Sequence, residues 1–345
     1  MATQHRITQP TDLLDEDGHL VEPGYATQLL WRYDRNKIKA GWHRIKEWDY
    51  YYILNENYGI TFTMSDLGYA GLMAVVWLDF GRGTCTQEET LALLPRGRTY
   101  FPSTSSEGDV EYQDKKLRLG YYVEPGKRTI RVDCPEFTGN PGEKGLTGEL
   151  ELHQDKGMDT MVIATSWKEN RKKFYYNQKI NCMPAKGGIK IGDRNYEFDT
   201  DSSFGGLDWG RGNWIYRNRW YWGSASGLHD GELFGWNIGY GFSDRSVASE
   251  NMIFHKGKAH KLDQVTFHMD VNDYMKPWKF TSNDGRFEMA FEPILDRFGK
   301  FNLLLIKSVQ HQVFGYFSGK VILDDGTKLN VERMLGFAED VYNRW

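Results

Sequence analysis

Five short turn sequences punctuate this chain, and they constrain its fold more than any other feature. They are Glu124-Pro-Gly-Lys127, His229-Asp-Gly231, His255-Lys-Gly-Lys258, Asn283-Asp-Gly285 and Asp324-Asp-Gly326. Each lies between runs rich in apolar and aromatic residues, the arrangement of tight β-hairpins. The runs themselves alternate. In RFEMAFE, Phe287, Met289 and Phe291 are interleaved with Glu288, Ala290 and Glu292, and in TKLNVE, Leu329 and Val331 alternate with Lys328, Asn330 and Glu332. A period of two sends one set of side chains to a buried face and the other to water. Strands joined by such short connections are antiparallel neighbours, which excludes a βαβ architecture and leaves sandwiches, jelly rolls and barrels. Barrels leave no exposed edge, so the expected fold is all-β, built of antiparallel β-barrels with a few short helices. The 37 glycines and the 15% of aromatic residues suit strands and turns. The clearest helix signal is TQEETLALLPRG, where Thr86 as N-cap, Glu89 three residues on and Pro95 at the end predict a helix over 86–94. No repeat of fixed short period points to a propeller or solenoid.

At roughly 100 to 200 residues per domain, 345 residues predict two. A compositional shift over residues 168–206 places the boundary near residue 200, giving domains over 1–200 and 201–345. That shift starts with KENRKKFYYNQK and ends in the Gly- and Ser-rich DTDSSFGG, and from Lys168 to Arg194 it carries eight basic against two acidic residues. The basic run reads as a solvated face with connecting strands, or as a site for an anionic head group.

The charge balance, 43 basic against 47 acidic side chains, leaves −4 and gives no electrostatic reason to expect nucleic acid as a partner. The longest uncharged apolar stretch, Gly68 to Leu78, is about half the ~20 residues of a membrane span, so no transmembrane segment is expected. The opening residues lack the apolar core of a secretory signal, no N-x-S/T acceptor occurs, and Cys85, Cys134 and Cys182 are widely spaced. These features predict a cytoplasmic protein with unpaired cysteines. Nucleophile-elbow, dinucleotide-binding and metal-ligand patterns are all incomplete, so neither a cofactor nor a metal is expected.

The densest segment, GGLDWGRGNWIYRNRWYWGSASG, runs from Gly205 to Gly227. As an extended strand it puts Asp208, Trp214, Tyr216, Asn218, Trp220 and Trp222 on one face, and Trp209, Arg211, Arg217, Arg219 and Tyr221 on the other. A bulge at Gly210 or Gly212 would shift this register. A carboxylate surrounded by indoles resists ionisation and can act as a general acid, which makes Asp208 the candidate proton donor. Neighbouring indole faces would steady a developing carbocation. If instead Arg211 folds over Asp208, the carboxylate stays ionised as a structural pair or a ligand anchor. Glu250 and Asn251 flank a strand start and are expected to project into a barrel mouth.

The run from Lys179 to Phe254 resembles an uncharacterised bacterial domain family of no assigned function, to which most of the chain is similar. More remotely, the order of glycine-rich strand pair, acidic residue, Trp-Gly, aromatic strand and Asp-Gly hairpin resembles the lipocalin-like superfamily of carotenoid hydratase (hydroxyneurosporene synthase), tocopherol cyclase and fungal Diels–Alderases. That resemblance implies two packed lipocalin-like barrels with a ligand pocket in or between them. Many of those relatives read W-x-D-x-x-W-G. Aligned on Trp209-Gly210, this chain has Gly206 where their aspartate falls, so Asp208 is a neighbour of that position. The leading expectation is binding of an apolar small molecule (lipid, polyene or isoprenoid-like) by Trp209, Arg211, Trp214, Tyr216, Arg217, Asn218, Trp220, Trp222, Glu250 and Asn251. The alternative is a hydratase, cyclase or isomerase with Asp208 as proton donor, and a third is carbohydrate binding or processing. The first two require the indoles between 209 and 222 to line a closed hollow.

Overall fold

The computed structural model describes residues 4–139, 142–303 and 305–345. Among the described residues it contains two large antiparallel sheets, one of thirteen strands and one of nine, and a small parallel pair, Thr11–Asp12 with Trp31–Arg32. Two single-turn 3-10 helices, Arg35–Lys37 and Trp42–Arg44, precede the first long strand. All five hairpins expected from the turn sequences are present: Lys127 pairs with Glu124, His229 with Glu232, His255 with Lys258, Thr281 with Glu288, and Ile322 with Lys328.

Both sheets curl into half-barrels. In the second, the end strands Lys258–Lys261 and Val265–His268 are consecutive in the chain, and the Phe267 amide donates to the Tyr240 hydroxyl across the gap. In the first, Thr90 on the edge strand Thr84–Leu93 donates to Asp114, beside the opposite edge strand Val110–Gln113. Side-chain bonds thus close what the backbone ladders leave open, which suppresses edge-to-edge association.

The segment predicted as a helix over 86–94 is instead that edge strand, paired in unbroken register with Ala70–Asp79. Its capping-box spacing is a local signal. The continuous ladder from Asp79–Thr84 to Ala70–Leu93 satisfies ten residues at once and overrides it. The strand ends where Leu94 takes a positive φ just before Pro95.

Four apolar clusters explain the packing. One fills the first half-barrel and one the second. The other two lie between them: Tyr50, Tyr52, Val76 and Leu78 meet Trp222, Phe314 and Phe337, while Ile163, Tyr175 and Trp214 meet Ala248, Met252 and Phe254. The half-barrels therefore pack through their outer faces. The strand Phe204–Asn213 belongs to the first sheet and Arg217–His229 to the second, so the chain crosses between sheets at residues 214–216. We propose that crossing as the domain divide, in place of one near residue 200.

Candidate functional site

The strand Phe204–Asn213 sits between Ile45–Leu54 and Asn170–Ile191 and is buried along its whole length. Its pairing with Ile45–Leu54 is unbroken, so neither Gly210 nor Gly212 makes a bulge. These glycines serve close packing instead. A Cβ on Gly210 would fall 2.1 Å from the Trp48 ring, and one on Gly212 would fall 2.7 Å from the Trp214 indole nitrogen. The register shift lies on the neighbouring strand, between Ile180 and Met183.

Without a bulge the alternation holds as far as Asn213, where the expected single strand over 205–227 gives way to a crossing at 214–216 and a second strand in the other sheet, and the two faces of Phe204–Asn213 go to different places. Trp209 and Arg211 face the interior of the first half-barrel. There Arg211 donates to Asp49 at 2.8 Å and to the Trp48 and Gly210 carbonyls, and its guanidinium lies 4.1 Å from the Trp209 ring centroid. Arg211 therefore does not cover Asp208.

Asp208 faces the seam between the half-barrels, and a lysine takes the position considered for Arg211. Lys179 Nζ is 2.6 Å from Asp208 Oδ2, and Asn177 donates to Oδ1 at 2.6 Å. Both carboxylate oxygens of Asp208 thus accept from close donors, one of them a lysine ammonium. The same ammonium lies 3.6 Å from the Trp222 ring centroid, a cation–π contact inside a desolvated seam. Trp222 donates to Asn237 Oδ1 at 2.6 Å, and Asn237 in turn donates to the Glu250 carbonyl.

Two further buried carboxyls flank this ion pair. Burial raises Glu250 to about 7, the nearby Asp208 charge adding to the effect and Lys179 opposing it. Burial likewise raises Glu339 to about 7, against hydrogen bonding from Trp220 and attraction to Lys179. Trp220 donates to Glu339 Oε1 at 2.8 Å and Gln312 to Oε2 at 3.3 Å, and Gln312 also bonds the Tyr50 hydroxyl. Glu250 is less well satisfied, because its Oε2 is buried without a hydrogen-bond partner. One ammonium cannot neutralise three carboxylates in this setting. The cluster therefore retains protons on its glutamates near neutral pH.

Aromatic rings wall the site. Trp214 lies within 6 Å, centroid to centroid, of Trp48, Trp167, Tyr175, Trp220, Phe242 and Trp345. The closed hollow expected beside the indoles is replaced by ring-on-ring packing. A cavity of about 10 Å³, room for one water, reaches Glu250 between Ile163, Thr165, Tyr175, Tyr240, Phe242 and Ala248. Arg245, exposed, stands at its rim.

Of the residues expected from sequence, Asp208, Trp214, Trp220, Trp222 and Glu250 meet at the seam. Trp209 and Arg211 are in the first half-barrel. Tyr216 donates to the Leu305 carbonyl near the surface, Arg217 is exposed, and Asn218 is buried beside the Ile215 carbonyl. Asn251 fastens the second half-barrel, accepting from the Gly239 amide and donating to the Asp263 carbonyl. Sequence reasoning missed Lys179, Glu339, Asn177, Asn237 and Gln312. Lys179 did carry a signal, as the one charged residue between Phe174 and Ala185.

The family model for a domain of unknown function (DUF2804) matches residues 4–345. The chain belongs to that family. No curated protein matches it. Among solved structures it is similar to a protein from Nitrosomonas europaea assigned to AttH, with a TM-score of 0.51, 13% identity, and coverage of 87% of this chain and 92% of that one. It is also similar to CghA, with a TM-score of 0.53, 10% identity, and coverage of 96% and 97%. The complex of CghA with Sch210972 gives a TM-score of 0.53, 9% identity, and coverage of 87% and 88%. At these identities the likeness is one of fold, and it matches the two-barrel arrangement that the lipocalin-like resemblance implied. No helix among the described residues is long and apolar enough to cross a membrane.

Proposed function

We propose that the seam between the half-barrels binds an apolar small molecule and transfers a proton to it, in the manner of a hydratase or isomerase. One observation carries this reading. Glu250 is a buried carboxyl held near neutral pKa, with one oxygen unpartnered, and it lines a cavity together with Tyr175, Tyr240 and Phe242. A carboxyl in that state is protonated in about half of the molecules at pH 7 and has an oxygen free to deliver the proton. The proton donor is thus Glu250, while Asp208, fixed by Lys179 and Asn177, sets the local field. In an alkene hydration the Glu250 proton would form a C–H bond, and the resulting carbocation would face the aromatic walls. Water would then add, and its surplus proton would return to the carboxylate. Because the indoles pack against one another and leave no ready-made hollow, this reading moves the ligand from the indole face to the cavity beside Glu250 and requires the segment 241–249, which carries Phe242 and Arg245, to lift for anything larger than water. CghA, similar in fold, has been solved with Sch210972, which supports a ligand-binding reading.

The test is turnover in heavy water. Polyenes and prenylated phenols are incubated with the protein in D2O, and mass gain is followed for the parent and for Glu250→Gln. The expected result is deuterium uptake by at least one substrate, reduced about 10²- to 10⁴-fold in the variant, the usual contribution of a general acid. Equal uptake in both proteins removes Glu250 from the chemistry. Binding without uptake in the parent leaves a binding protein and refutes the catalytic half of the reading.

A further inference from the structure

A second polar cavity, also of about 10 Å³, lies in the first half-barrel beneath the segment 101–109, separate from the seam. Asp49, Tyr51, Ser105, Tyr121, Arg128 and Trp209 are among the residues that line it. Arg128 is 5% exposed. It donates through Nη1 to the Ser105 carbonyl at 2.7 Å and to the Tyr51 hydroxyl at 3.5 Å, and through Nη2 to Gln154 at 3.3 Å, while its Nε is buried without a partner. Among the described residues no carboxylate forms an ion pair with it. Its neighbours differ in this respect, because Arg211 is paired with Asp49 at 2.8 Å and Arg35 with Glu47 at 2.8 Å. Asp49, already held by Arg211, attracts the Arg128 charge from a distance, and Asp66 adds to the carboxylates around Arg35, so Arg128 is the guanidinium of the three without a direct ion pair. Two more lining residues, Tyr121 and Trp209, bury a hydroxyl and an indole N–H with no hydrogen-bond partner.

An uncompensated buried charge is strongly destabilising, and each unmet donor adds its own desolvation penalty. Asp49 also lines the cavity, but Arg211 takes up its carboxylate, so one cation and two neutral donors there are left without a direct acceptor that a ligand would supply. We propose that this cavity is a binding site for the carboxylate of a small organic acid, with Arg128 as its counter-ion and Tyr121 and Trp209 as donors. A monoanion gives Arg128 one direct partner, whereas a phosphate dianion beside Asp49 would leave a buried excess of negative charge. The cavity admits one water-sized group, so the acid enters as the segment 101–109 lifts, and the rest of the ligand stays at the barrel mouth.

Isothermal titration of the full chain with acetate, butyrate, octanoate and inorganic phosphate tests this. Saturable binding of the carboxylates is expected, with phosphate weaker. Arg128→Gln should weaken carboxylate binding at least about tenfold. Tyr121→Phe removes an unmet hydroxyl, so it should fold at least as stably as the parent and bind several-fold more weakly. If Arg128→Gln fails to fold, Tyr121→Phe decides the matter. Tighter binding with chain length would assign the carboxylate to a fatty acid, and indifference to length would assign it to a free small acid; both outcomes support the site. Absence of saturable carboxylate binding, phosphate binding tighter than acetate, or unchanged affinity in Tyr121→Phe would overturn it.

Discussion

Replacing Glu250 with glutamine should make the protein more stable, and only above pH 5. The carboxyl is held at about 7 against an ordinary value of 4.5, chiefly by burial. Between those two values the native state holds a proton that the unfolded chain has released, so stability contributed by this group falls as pH rises through the window. Above pH 7 the native state must carry the ionised form. At ~1.36 kcal/mol per pKa unit the gap amounts to about 3 kcal/mol. Glutamine has nearly the same shape and does not titrate, so it escapes that cost. Glu339 is present in both proteins and cancels to first order. Urea unfolding of parent and variant, followed by tryptophan fluorescence from pH 4.5 to 8.5, gives the difference at each pH. It should be small at pH 4.5 and grow to the order of 3 kcal/mol in favour of Glu250→Gln at pH 8. A difference that stays constant across that range would show that Glu250 titrates normally, and the reasoning for its role as acid would fail with it.

Lys179→Met should destabilise by about 3 to 5 kcal/mol, because it strands Asp208 as a buried unpaired charge, and adding Asp208→Asn should recover most of the loss. A double-mutant cycle checks this, and additive effects would refute the pairing. Gly210→Ala drives a methyl into the Trp48 ring, so a loss of about 1 to 3 kcal/mol is expected in thermal unfolding, together with a changed near-UV circular dichroism signal. Thr86→Val should be neutral or slightly stabilising, because residue 86 lies inside a strand; a loss of about 1 kcal/mol in the free energy of unfolding would instead indicate a helix cap.

What the sequence made legible here is local. Asp-Gly turns and period-two runs specify hairpins through neighbours a few residues apart, and those hairpins formed as expected. Alternation likewise separates Asp208 from Trp209 and Arg211, but the expected single strand across 205–227 is two strands in different sheets, a break that local alternation does not encode. The 86–94 segment misled because its capping-box spacing is equally local, while the ladder with Ala70–Asp79 that overrides it is not. The seam was harder still. Lys179, Asp208, Glu250 and Glu339 are scattered over 161 positions of chain and converge only when two half-barrels pack. Nothing in the local sequence around Glu339 distinguishes it from its neighbour Asp340, which pairs with Arg219.

The strand Phe204–Asn213 places the two sites back to back. Asp208 faces the seam, and the adjacent Trp209 lines the cavity beside Arg128, with backbone pairing on both sides holding the strand. Successive side chains on a strand point to opposite faces, so a shift of the strand that moves one site must move the other. Binding at the Arg128 cavity that displaces Trp209 would therefore pull on Asp208 and its pairing with Lys179, and through that charge alter how strongly Glu250 holds its proton. Linkage makes such an effect reciprocal: if acetate or butyrate shifts the pH window of the Glu250-dependent stability, protonating Glu250 must shift carboxylate affinity by the same factor. Carboxylate titrations at pH 5 and pH 8 measure that factor. A ratio of one would show that the strand is rigid and the two sites act independently.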